Sequence, residues 1–103
     1  MTSIDTQVRA LIDEKLGALK RRSYLDLESL PECAEESHAI EKSAVTIATW
    51  KDAVDERTIR VVVQAYRRSS FPGLVGLTQA DGFRINREGE LSGLSAEELL
   101  EFS

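Results

Sequence analysis

The chain has 103 residues, 42% of them hydrophobic and 30% charged, with 13 Lys+Arg against 18 Asp+Glu for a formal charge of −5. That is the length and balance of one domain, residues 1–103, able to bury a core without disulfides or metal, and it lies far from the disordered regime. A net acidic surface weighs against a phosphate backbone as the main partner, because such binding draws on clustered positive charge.

Charge is unevenly spread. Residues 1–22 carry five basic and three acidic groups, residues 23–57 carry three and nine, and residues 58–103 carry five and six. The middle segment therefore holds the excess negative charge, which reads first as a solvated surface and second as ground for a basic partner. The lone cysteine, Cys33, cannot form an internal disulfide and so requires no oxidising compartment. Residues 1–7 lack the basic flank and apolar stretch of a secretory signal, and no apolar run approaches the roughly 20 residues that span a bilayer. A cytoplasmic address and no membrane partner are expected.

The first predicted element is an amphipathic helix over residues 3–19. Ile4, Val8, Leu11, Ile12, Leu16 and Leu19 recur at steps of three and four, Asp5 suits its N-terminal end, and Lys20, Arg21 and Arg22 suit the other. Leu11 is expected in the buried stripe. Ser23 and Asp26 suggest a capped short helical turn, with Leu27 and Leu30 on one face and Pro31 closing it. Residues 32–42 are ambiguous between an edge strand and a loop.

Residues 44–51 and 58–67 alternate as two β-strands. Val45, Ile47, Ile59, Val61, Val63 and Ala65 share a core face, and Trp50, Arg60, Val62, Gln64 and Tyr66 point the other way. Residues 52–57 form the predicted turn, with Val45 opposite Val63, Ile47 opposite Val61 and Thr49 opposite Ile59. A further strand is expected at 74–78 after the Phe71-Pro72-Gly73 loop. Asp81-Gly82 reads as a bend or bulge, Phe83 and Ile85 alternate around Arg84, and residues 86–89 read as a turn. Ser95 and Glu98 match a capping box, with Leu94 and Leu99 as its hydrophobic staple, which opens a closing helix at 96–102.

A helix with one apolar stripe and a meander with one apolar face bury each other. The expected fold is therefore a two-layer α+β domain, with the N-terminal helix across a three- to five-stranded antiparallel sheet and a short C-terminal helix. In outline this element order resembles cystatin-like folds. That resemblance implies an architecture that hosts inhibitors, enzymes and dimerisation modules alike, and no single function.

The chemistry-bearing residues give no catalytic or metal motif. His38 is the only histidine, and Cys33, five positions earlier, would lie on the opposite face of a strand, so the two do not suggest a nucleophilic pair. One Cys and one His supply two of the four ligands of a structural zinc site. Asp52, Asp55 and Glu56 lack the spacing of a calcium loop. No cofactor is implied.

The outward hairpin face is the strongest candidate site. Trp50, Arg60, Val62 and Tyr66 combine residue types enriched at interface hot spots, and Ala48 leaves room for approach. The expected function is a non-enzymatic protein-interaction or self-association module, as a homodimer or with an unknown protein partner. Two alternatives compete with it. One is a small-molecule pocket or enzyme between helix and sheet using His38 or Arg60. The other is weak single-stranded nucleic-acid binding through Tyr66, Arg67 and Arg68, which the overall charge disfavours.

Overall fold

The structure is a computed structural model that describes residues 4–40, 43–67 and 79–100. In chain order the elements are α1 (Ile4–Lys20), α2 (Tyr24–Glu28), β1 (Cys33–Ile40), β2 (Ser43–Asp55), β3 (Thr58–Arg67), β4 (Gln79–Asn86), β5 (Leu91–Gly93) and α3 (Ala96–Leu100). The strands form one antiparallel sheet in the order β1-β2-β3-β4-β5, a pure meander, with α1 packed on β3 and β4. The two-layer α+β expectation is met.

The helical stripe works as its spacing dictates. Val8, Ile12, Leu16 and Leu19 are buried against Val45, Ile47, Ile59, Val61, Val63, Ala65, Phe83 and Ile85 of the sheet. Leu11, expected among them, is only partly buried and packs at the rim. Arg9 reaches Asp81 of β4 at 2.6 Å, whereas Lys15 reaches Glu36 of β1 at 3.3 Å. The two exposed ion pairs flank α1 on opposite sides, while its buried stripe sets its position across the strands. Ser23 caps α2 by accepting from the Asp26 N–H at 3.2 Å, and Leu27 anchors that turn with no exposed surface.

Residues 33–40 resolve as a strand. β1 pairs with β2 from Cys33↔Trp50 to Ile40↔Ser43 and forms one side of the sheet. The β2–β3 hairpin departs from its expected register. Val45 stands opposite Arg67, Ile47 opposite Ala65, Thr49 opposite Val63 and Trp50 opposite Val62. β2 runs on to Asp55, so the turn shrinks to Glu56-Arg57, closed by the Arg57 N–H donating to Asp55 Oδ1 at 2.7 Å. The slip from Val63 to Arg67 opposite Val45 is even, so every side chain keeps its face. Alternation has a period of two and cannot distinguish registers that differ by an even number, whereas a two-residue loop favours the longer ladder.

Gly82 is no bend. It lies within β4 opposite Val62, and a Cβ there would stand 2.3 Å from the Val61 carbonyl oxygen and 2.9 Å from Leu94 Cδ1. Glycine is needed at this position because another backbone and the Leu94 side chain approach it closely. Leu94 thus packs over the outer sheet face. The turn after β4 is as expected. Gly89 has φ of 85° and donates to the Asn86 carbonyl at 2.9 Å, and that turn returns the chain as β5, a short strand the sequence did not signal. The strand expected at 74–78 and the Phe71 loop lie outside the described residues.

Candidate functional site: the outer face of the sheet

The outer face divides into an aromatic half and a charged half. In the aromatic half, Gln64 is the hub. Its Oε1 accepts from Trp50 Nε1 at 3.1 Å and from the Tyr66 hydroxyl at 2.9 Å. Gln64 lies opposite Ala48, whose small side chain leaves space for the two rings on either side. Both residues are partly buried. Burial pushes the Tyr66 phenol up from its ordinary pKa, and the nearby Glu35 carboxylate adds to that. Tyr66 is therefore a neutral hydrogen-bonding group across the physiological range. Sequence reasoning placed Gln64 on this face without giving it a role. The signal was available, since a buried amide flanked by Trp and Tyr must find polar partners.

The charged half centres on Arg60. The shortened turn brings Asp52 out of the predicted loop and into β2, directly opposite Arg60. Arg60 grips it with both arms, Nε to Oδ1 at 3.0 Å and Nη2 to Oδ2 at 2.6 Å. Such forked pairs fix geometry as well as charge. On the other side Glu98 of α3 joins Arg84 at 2.7 Å and Arg60 at 3.5 Å. Glu98 is also the capping-box residue. Its backbone N–H donates to Ser95 Oγ at 3.2 Å, while its carboxylate accepts from the Ser95 N–H at 3.4 Å. One side chain thus starts α3 and ties it down onto the sheet.

Partial burial raises the Glu98 pKa, but the Ser95 N–H and the Arg84 guanidinium outweigh it and hold the carboxyl below its ordinary value. A carboxylate with a lowered folded-state pKa contributes stability that is whole above the unfolded value. That contribution is lost as pH falls through the folded one. Acid titration of Glu98→Gln, followed by thermal melting, is expected to show a shallower fall in Tm below about pH 4.5 than the parent chain. Parallel curves for the two would show that this tie does not couple to folding.

The four predicted residues thus share one face but differ in access. Val62 is 1% exposed, enclosed beneath the Leu94 side of the face, and the Arg60 side chain is 14% exposed and committed to its carboxylates. Trp50 and Tyr66 are partly buried.

Elsewhere the catalytic candidates do not converge. Cys33 belongs to the outer face beside Trp50, and His38 to the inner face, where its Nε2 lies 3.6 Å from Glu36. Burial and Glu35 both push the Cys33 thiol above its ordinary pKa, the opposite of what an activated nucleophile requires. His38 borders a shallow cleft of about 190 Å³ with Leu11, Lys15, Glu36 and Ile47, while Arg60 is on the far side of the sheet. Among the described residues no three His, Cys, Asp or Glu side chains group to hold a metal, and no helix is long and apolar enough to cross a membrane. Arg68 lies outside the described residues, as does the side chain of Arg67.

The class this geometry defines is a two-layer α+β domain whose outer sheet face carries an aromatic and an ion-pair cluster. Comparison with protein-family models, with curated proteins and with solved structures gives no match.

Proposed function

We propose that this chain is a cytoplasmic, non-enzymatic interaction module that self-associates, with a homodimer as its working form. The observation that carries this reading is the pair of partly buried rings, Trp50 and Tyr66, pinned by one amide on the outer face of a sheet whose β1 side has no further strand among the described residues. Aromatic groups held rigid in this way suit a protein partner, because little side-chain entropy remains to be lost on contact. Arg60 and Val62 act beneath and beside them. Arg60 holds α3 in place and Val62 supports the surface from within. Twofold pairing is the commonest assembly of small soluble proteins, which makes a second copy the first partner to test.

Native mass by light scattering after size exclusion, from low micromolar to near-millimolar concentration, is expected to rise from monomer to dimer. Trp50 emission should shift to the blue over the same range. Trp50→Ala is expected to weaken the dimer at least tenfold while the circular dichroism spectrum stays folded. A monomer throughout would overturn the reading. Val62→Glu is unsuited to this purpose, because it would place a charge in an enclosed position and report on folding instead.

A further inference from the structure

Among the described residues β1 is an edge strand, and its hydrogen-bonding phase is defined. The Lys51 N–H donates to the Glu32 carbonyl at 3.0 Å, and Cys33 stands opposite Trp50, so the even-numbered residues of β1 exchange hydrogen bonds with β2. In an antiparallel ladder the intervening residues turn their N–H and C=O groups the other way. Here those belong to Cys33, Glu35, Ser37 and Ala39, and among the described residues no strand meets them. An eight-residue edge left unpaired is a template for another strand.

We infer that β1 pairs antiparallel with β1 of a second copy about a twofold axis at Ser37, joining the two sheets into one. This rests on the self-association reading and places the contact at the β1 edge in place of the Trp50 and Tyr66 rings. Charge selects the register. With the axis at Glu35 or Glu36, that carboxylate faces its own symmetry mate, which is destabilising directly across a ladder. With the axis at His38, the two histidines face each other and the paired stretch shortens to residues 36–40. With the axis at Ser37, Glu36 of each copy faces His38 of the other, and Ala34 faces Ile40 on the core side. Ser37 then exchanges both backbone hydrogen bonds with its mate. Glu36 and His38 already point to the inner face beside Lys15, so the paired cluster would continue the Lys15–Glu36 ion pair across the junction.

The test uses the full chain with Cys33→Ser as background. Opposed Cα atoms in a hydrogen-bonded pair are about 5.5 Å apart, within disulfide range. Ser37→Cys should therefore cross-link to a covalent dimer under mild oxidation, and Glu35→Cys or Ala39→Cys should not. Ser37→Pro removes an N–H that β2 does not use, so it should fold and stay monomeric. His38→Glu should raise the dimer Kd about tenfold, since it makes both cross-strand pairs repulsive, and an unchanged Kd would overturn the register even if the proline variant fails to fold. A dimer that survives Ser37→Pro and does not cross-link at 37 would overturn edge pairing and leave self-association through Trp50 and Tyr66 standing. A parent chain that is monomeric at near-millimolar concentration would overturn both.

Discussion

Gly82→Ala is expected to cost about 2–3 kcal/mol and to lower Tm by roughly 10–20 °C for a domain of this size. The added Cβ would stand 2.3 Å from the Val61 carbonyl oxygen and 3.0 Å from Val62 Cα, both backbone atoms, so no side-chain rotation relieves it. Either β3 and β4 separate locally, which breaks ladder hydrogen bonds, or β4 shifts and displaces Leu94. Thermal unfolding by circular dichroism measures the loss. Because Leu94 precedes the capped α3, a second consequence is expected: the Arg84–Glu98 tie loosens and α3 becomes the first part of the described chain to exchange its amides. A variant with parental Tm would mean that β3 and β4 do not approach as closely as the structure has them.

Ile12→Ala is expected to cost about 2–5 kcal/mol, the range for emptying a large aliphatic site in a packed core, and Leu11→Ala about 1 kcal/mol or less. Ile12 has no exposed surface, whereas Leu11 lies at the rim beside Lys15 and Ile47. The adjacent pair reports on the rotation of α1 about its own axis, because residues one step apart on a helix point about 100° apart. Denaturant titration of the two variants gives the comparison. Equal losses would place the helix some tens of degrees from the orientation that its buried stripe sets. Leu11→Asp, at a position the stripe alone would count as core, should accordingly leave a folded protein, and Ile12→Asp should not.

Much of the outer sheet face is committed to contacts within the chain. Val62 and Ala48 are enclosed, Gln64 is spent on two rings, and Arg60 is spent on two carboxylates. The residue types that suggested an interface are in part engaged within the chain. The proposed self-association therefore turns on Trp50 and Tyr66 and on the β1 edge, which no strand meets among the described residues.

The sequence by itself determined α1, the capped starts of α2 and α3, and the faces of β2 and β3. A stripe at steps of three and four fixed α1, strict alternation fixed which side of β2 and β3 meets the core, and the Ser23 and Ser95 caps fixed where α2 and α3 begin. These are local signals, carried by the geometry of one helix or one strand. Only the tertiary structure decided the hairpin register, the closeness of β4 to β3 at Gly82, and the meeting of Asp52, Arg60, Arg84 and Glu98. Registers an even number of residues apart satisfy the same alternation. The choice among them rests on the length of the ladder and the fit of the turn, which are properties of two strands together. Residues 33–40, whose own pattern is weak, became a strand because β2 offers them a ladder. The edge they form among the described residues follows from the same pairing.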